Sequence, residues 1–453
     1  MSRRINLLEG NIFSSLTRLA LPIMATSLIQ MAYNMTDMIW IGYIGSDAVA
    51  SVGAAGMFGW MSQSIATLAR MGGQVKAGHR LGAGDRVEAA LYAQNSLQLA
   101  TALSVLFGFV MAVFTGPLIG FFRLNSAHVV KDAEVYLFIT GGLIIFSIIN
   151  QIFTGLITVT GNSRTPFLVT TAGLVLNIVL DPVLIFGVGP FPAMGVAGAA
   201  IATVLAQALA TLLYVLYARR DPHLLQGVHL LEKPDLGKLR EICRVGLPAA
   251  LQSALFTGIS MILARTVATF GATAVAVQKV GAQIESISWM TADGFSAALN
   301  SFVAQNYGAG NFERAKRGFR DSLIVMTIWG IFTTFLLIFA AAPIFRIFIH
   351  EPEALPLGVD YLVILGYSQL FSCIEIMTGG AFSGFGKTLP PSINSIVLTS
   401  ARIPMAMLLS SPALLGLDGI WWSITISSSL KGIVLLALFL IFLRREERKL
   451  RRA

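Results

Sequence analysis

Arg18-Leu19-Ala20-Leu21-Pro22 opens one apolar stretch, and Arg244-Val245-Gly246-Leu247-Pro248 opens another, 226 positions later. The same offset carries Gly45 to Gly271 and Ala48-Val49-Ala50 to Ala274-Val275-Ala276. It also carries Gly82-Ala83-Gly84 to Gly308-Ala309-Gly310. Further along, Phe146-Ser147, Gly155, Gly161 and Pro166 return as Phe371-Ser372, Gly380, Gly386 and Pro391 at an offset of 225. Gly195 and Thr203 align with Gly419 and Ser427 at 224. The chain is an internal duplication.

What is duplicated is a set of membrane helices. Of 453 residues, 55% are hydrophobic and only 12% charged, about half the charge of a soluble domain. Mean hydropathy is +0.75, and the 43 glycines suit helices that pack closely in lipid. The apolar runs are continuous rather than alternating, which excludes a β-barrel. Runs long enough to cross roughly 30 Å of hydrocarbon fall at 15–41, 48–71, 90–114, 135–158, 166–188 and 194–218. Six more fall at 242–270, 274–298, 322–345, 357–382, 391–412 and 420–443.

The expected fold is an all-α polytopic membrane protein, with twelve transmembrane helices in two pseudo-symmetric six-helix bundles. The expected parts are an amino-terminal lobe (1–218), a cytoplasmic linker (219–241), a carboxyl-terminal lobe (242–443) and a basic cytoplasmic tail (444–453). Six is even, so both copies enter the membrane in the same sense. An axis along the membrane normal relates such repeats in transporters, and a cleft between the bundles is the natural substrate path.

Lys and Arg set the orientation. With both termini cytoplasmic, the inside segments hold Arg3, Arg4, Arg70, Lys76, Arg80, Arg86, Arg164, Arg219, Arg220, Lys233 and the tail from Arg444 to Arg452, among others. The outside loops hold only Arg123, Lys131 and Arg346. The net charge of +9 is therefore topology and attraction to anionic membrane lipids, and no nucleic-acid partner is expected. Two cysteines, Cys243 and Cys373, make no disulfide framework. Gly82-Ala83-Gly84-Asp85 spells the G-x-G-D of intramembrane aspartyl proteases, but it lies in a basic loop and its copy ends in Asn311. It reads as a turn or helix start. Neither a Walker A nor an H-E-x-x-H sequence occurs, so the expectation is a secondary transporter, not an enzyme.

The duplication breaks at its acids. Asp37 lies deep in an apolar run, and its counterpart is Leu263. A charge kept in hydrocarbon is costly and is a functional hypothesis by default. The bland alternative is a carboxylate that snorkels to the outer interface, but Ile39, Trp40 and Ile41 still follow it. Gln30 and Pro22 precede it on the same helix, and Pro22 permits a bend. Asn177 and Asp181 are four apart and share a helix face, with Pro182 next. In the second copy Arg402 stands for Asn177 and Ala406 for Asp181. Two carboxylates in apolar surroundings tend to share a proton. Glu285, Asp293, Glu375, Arg265, Lys279 and Lys431 also lie in or near apolar runs. Pairing or snorkelling accounts for most such charges. Met31 and Met35 flank the acid, and flexible thioethers suit a promiscuous pocket as well as ordinary packing.

On Leu21-Pro22, Asp37 fifteen residues later, the Gly82-Ala83-Gly84 loop with its copy, and Asn177 with Asp181-Pro182, the chain resembles the multidrug and toxin extrusion (MATE) family, in its DinF-like branch. That resemblance implies proton-coupled export of small lipophilic or cationic drugs and toxins by alternating access. It implies the cytoplasmic (inner) membrane, a monomer, and no cofactor beyond the coupling proton, with sodium as the alternative ion. The family's proton site carries over to Asp37, Asn177, Asp181 and Thr203, and its substrate contacts to Asp37, Gln30 and Tyr33. A helix 4 position that is often Asn in the family looks like Thr154 here, with Asn150 nearby. A lipid-linked oligosaccharide flippase of the same wider exporter group is the alternative reading, with Arg402 and Arg265 facing a pyrophosphate.

Overall fold

The computed structural model describes residues 4–122, 124, 126–221, 224–348, 353–411 and 413–451. Arg3, Arg123 and Arg452 lie outside the described residues. The first copy folds as α1 (Ile12–Ile44), α2 (Ser46–Gly82), α3 (Arg86–Val113), the short α4 (Thr115–Gly120), α5 (Ala127–Gly142), α6 (Ile145–Val159), α7 (Arg164–Phe186) and α8 (Val196–Ala218). The second folds as α9 (Leu236–Ala268), α10 (Ala272–Gly308), α11 (Phe312–Phe339), α12 (Ala341–Arg346), α13 (Ala354–Gly366), α14 (Gln369–Gly384), α15 (Leu389–Ser400), α16 (Arg402–Leu409) and α17 (Leu417–Leu450). Counting α15 with α16 as one span, eight spans are long and apolar enough to cross a membrane, and the bent pairs α5–α6 and α13–α14 bring the number to ten. The 37-residue α2 and α10 complete twelve.

Three of the expected unbroken runs are broken, each for a local reason. The run 135–158 bends by 42° where α5 ends at Gly141-Gly142, and 357–382 bends by 48° where α13 ends at Gly366. Glycine is a poor helix residue, so the break falls there at least cost. The run 391–412 stops at Ser400 and restarts at Arg402. Pro404 offers no N–H to the Ser400 carbonyl and its ring crowds that turn. By contrast α1, α7 and α9 run unbroken through Pro22, Pro182 and Pro248. The G-x-G-D stretch is a turn, as expected: α2 ends at Gly82, and Asp85 caps α3, its Oδ1 accepting from the Glu88 N–H at 3.0 Å.

The backbone also refines the repeat. Gly195 precedes α8 at φ 53°, ψ −128°, and Gly416 precedes α17 at φ 56°, ψ −129°. A Cβ on Gly198 would run into the Leu184 carbonyl, and one on Gly419 into the Leu409 carbonyl. Gly195 therefore pairs with Gly416 and Gly198 with Gly419, at an offset of 221. The alignment of Gly195 with Gly419 and Thr203 with Ser427 is nearly one helical turn out of register. The true counterpart of Thr203 is Ile424, and Ser427 and Ser428 answer to Ala206 and Gln207.

The chain divides into two compact units. Unit 1 comprises residues 1–6 and 25–250, and unit 2 comprises 7–24 and 251–453. The division does not follow the linker; it runs through α1 after Met24 and through α9 after Ala250. Side-chain chemistry explains why residues 219–250 stay with unit 1. Polar residues of α3 hold the linker: Gln98 Nε2 donates to the carbonyls of Leu230 (3.1 Å) and Glu232 (2.7 Å). Asn95 Oδ1 accepts from the Asp235 N–H (2.8 Å) and Gln94 Oε1 from the His229 N–H (3.0 Å). Lys238 pairs with Glu88 at 3.1 Å and Lys76 with Glu241 at 2.6 Å. Leu224 and Leu225 are buried, and Asp221 pairs with Arg4. In unit 2 the segment 7–10 is clasped by Arg314, whose guanidinium donates to the carbonyls of Leu7, Glu9 and Gly10.

Candidate functional site

The acids of unit 1 meet. On α1, Tyr33 and Asp37 are four apart and share a face, as Asn177 and Asp181 do on α7. Asp37 is 9% exposed, and Asn177 and Asp181 are fully buried. The two carboxyls lie within hydrogen-bond range of each other. Asn177 Nδ2 donates to Asp181 Oδ1 at 3.2 Å. From α8, Thr203 Oγ1 accepts from the Tyr33 hydroxyl at 3.3 Å. The Tyr136 phenol on α5 lies within reach of the same hydroxyl. Trp40 sets its edge against Phe186 at 6.2 Å, which ties the end of α1 to the end of α7 and keeps Asp37 beside Asp181.

Three buried oxygens in this cluster have no hydrogen-bond partner: Asp37 Oδ1, Asp181 Oδ2 and Asn177 Oδ1. Two ionised carboxylates are acceptors only, so such a contact leaves lone pairs facing lone pairs in a poorly solvated space. One proton turns the pair into donor and acceptor. Pro182 adds a further acceptor, because it cannot donate to the Ile178 carbonyl one turn back.

Five of the expected residues are thus gathered at one point: Tyr33, Asp37, Asn177, Asp181 and Thr203. Others are not. Asn150 and Thr154 form a separate network on α6 and α8. Asn150 Nδ2 donates to the Gln207 carbonyl (2.9 Å), and Asn150 Oδ1 accepts from Thr211 Oγ1 (2.8 Å). Thr154 Oγ1 donates to the Asn150 carbonyl (2.8 Å) and meets the Tyr214 hydroxyl (2.9 Å). No described hydrogen bond links this network to the acids. Gln30 and Met35 are exposed and Met31 is half-buried, so on α1 they sit toward open space rather than in the acid cluster. Pro22 belongs to the part of α1 that packs in unit 2. The residue that sequence reading misses is Tyr136. A tyrosine inside an apolar run needs a partner for its hydroxyl, and its repetition as Tyr361 was the available signal.

Unit 2 has no acid pair at the matching place. Leu263 and Ala406 there are buried in an apolar cluster with Ile259 and Ile420. Glu375 pairs with Lys431 at 3.0 Å, and Glu285 accepts from Gln369 Nε2 at 3.4 Å. Arg265, Lys279 and Asp293 are exposed. Among the described residues no three His, Cys, Asp or Glu side chains form a metal-binding group.

Comparison with known proteins identifies the family of the chain. The sequence profile of a family described as MatE matches residues 22–183 and 248–408, two segments that start at Pro22 and at its repeat Pro248. The chain is 32% identical over 410 residues to the probable multidrug resistance protein NorM of Thermotoga maritima, covering 90% of this chain and 87% of that one. It is 26% identical over 444 residues to the FAD transporter of Shewanella oneidensis, covering 96% and 95%. Among solved structures, a MATE protein in a bent conformation superposes with a TM-score of 0.90 at 24% identity, covering 98% of each chain. A MATE protein in a straight conformation superposes at 0.87 and 25% identity, covering 99% and 100%.

Proposed function

The chain belongs to the MatE family of multidrug transporters, and from that premise we propose a proton-coupled antiporter of the DinF-like branch. It exports small lipophilic or cationic compounds from the cytoplasm by alternating access, with the proton site in unit 1. The observation that carries this reading is the contact between the Asp37 and Asp181 carboxyls, with one oxygen of each buried and unpartnered.

In the outward-open state the ionised pair attracts a lipophilic cation. A proton arriving from outside binds between the two carboxyls. It cancels the attraction and lets the bonds among Asp37, Asn177, Asp181, Tyr33 and Thr203 rearrange. The substrate leaves. The protonated protein turns inward and loses the proton to the cytoplasm, where the next cation is taken up. A ligand drives such a cycle only through its differential affinity for the two states, and one titrating pair that either a proton or a cation can neutralise supplies that difference. Pro22 gives α1 a point at which to bend as the pair is protonated.

The test uses the full chain in proteoliposomes with an imposed pH gradient. Added ethidium, a lipophilic cation, should dissipate the gradient with the wild type and not with Asp37→Asn. Undiminished dissipation by the folded variant sinks the assignment. Dissipation that requires sodium would move the coupling to that ion.

A second reading concerns the cargo. The likeness to the FAD transporter of Shewanella oneidensis, together with buried Arg402, favours a substrate that carries phosphate groups, as a dinucleotide or a lipid-linked saccharide does.

A further inference from the structure

Arg402 is a buried cation that the mechanism above does not use. It begins α16 and is 6% exposed. Among the described residues no carboxylate oxygen lies within 4.0 Å of its guanidinium. Its hydrogen-bond partners are neutral: Nε donates to Ser427 Oγ at 3.1 Å and Nη2 to Ser428 Oγ at 2.9 Å, both on α17. Ser427 Oγ in turn donates to the Leu398 carbonyl at 2.7 Å, which fixes the hydroxyl as an acceptor and aims the guanidinium. Nη1 has no hydrogen-bond partner among the described residues and is not wholly shielded. The Phe256 ring lies 5.9 Å from the guanidinium carbon and is 46% exposed.

The neighbouring charges do not neutralise it by contact. Glu375 and Glu285 are the acids close enough to act on it. Glu375 is held by Lys431 at 3.0 Å, and Glu285 is turned to Gln369. A buried charge without a contact counter-ion is costly, and it is retained where an incoming group completes it. Unit 1 makes the same point in the opposite sign. At offset 225 Arg402 stands where Asn177 stands, while Ala406 and Leu263 replace the acids.

We propose that Arg402 is the anion receptor of unit 2. It takes a carboxylate or phosphate on a flat amphiphile whose ring system packs against Phe256. The guanidinium presents its Nη edge to two oxygens of such a group, the geometry in which arginine binds carboxylate and phosphate. The proposal rests on the transport reading above and deepens its second part, by naming the group that would receive an anionic cargo.

The experiment measures dye binding by fluorescence polarisation to the full-length protein in phosphatidylcholine nanodiscs. The probes are anionic fluorescein and cationic ethidium. Arg402→Gln should weaken fluorescein binding by roughly tenfold or more and ethidium by less than about twofold, because only the anion loses a charge-assisted fork. Arg402→Lys keeps the charge but not the fork and should fall between wild type and Arg402→Gln. Phe256→Ala, on an exposed side chain, should also weaken fluorescein selectively. Wild-type protein that binds no fluorescein overturns the proposal. So does an equal loss of both dyes in Arg402→Gln and Phe256→Ala, which is what a merely structural role gives. Adding phosphatidylglycerol separates the sources: suppression of fluorescein binding assigns the site to a lipid headgroup, and no suppression assigns it to a soluble anion. Ethidium binding and its loss in Asp37→Asn report on the transport reading independently.

Discussion

Thr203 binds a phenol beside the acid cluster through its hydroxyl. Tyr33 donates to it from α1 at 3.3 Å, and the Tyr136 phenol of α5 lies nearby. α1 carries Asp37, so this hydroxyl links the acid's own helix to α8. Interhelical hydrogen bonds in membranes are worth about 0.6–2 kcal/mol each, and losing one should cost roughly three- to thirtyfold in an equilibrium that depends on it. Thr203→Val should therefore cut pH-driven ethidium transport by about tenfold, while Thr203→Ser keeps the hydroxyl and should stay near wild type. Initial rates in proteoliposomes decide it. Equal rates for Val and Ser would mean that Thr203 is packing alone. The acids were legible at this scale because a carboxylate is too costly in an apolar run to be there for packing. Tyr136 was not, because a tyrosine in an apolar run is ordinary until its partner is known.

Between elements, the close approach of α8 to α7 is set by Gly198, where a Cβ would meet the Leu184 carbonyl. Leu184 is three residues past Asp181, so the contact that lets the helices touch also fixes the depth of the acid. A backbone carbonyl cannot swing aside as a side chain can. Gly198→Ala should force the helices apart at a cost of about 1–3 kcal/mol, read as a fall of several degrees in thermal stability in detergent. Gly53→Ala is the control, since a Cβ there meets nothing within 4 Å. It should leave stability unchanged or raise it by up to about 1 kcal/mol. The same fall in both variants would sink the argument. Gly198 also shows what the sequence concealed. Gly195 and Gly198 have two glycine partners, Gly416 and Gly419, three residues apart, so letters alone permit a register one turn out. The near-identical torsions before α8 and α17 remove the choice. The kink of the eleventh span was hidden for a different reason. Pro404 acts four residues upstream of itself, at Ser400, and an apolar run does not record where its backbone bonds end.

At the scale of the whole chain, twelve helices in two copies were legible because hydropathy and offset each report them independently. The boundary between units was not. Residues 219–241 are polar and read as a cytoplasmic linker between the lobes, yet Gln94, Asn95 and Gln98 of α3 bond them into unit 1. Orientation now carries the remaining weight, because it decides in which half of the membrane Asp37 lies. Both termini in the cytoplasm would put Asp37 in the outer half of α1. The reverse orientation would put Asp37 in the inner half of the span, while the direction of exchange would still be set by the proton gradient. Loop charge predicts the first arrangement. In a Cys243→Ser, Cys373→Ser background, Leu124→Cys should react with a membrane-impermeant maleimide on intact cells. Lys233→Cys should react only after permeabilisation. Labelling of Lys233→Cys from outside would reverse the topology and move Asp37 to the inner half of α1.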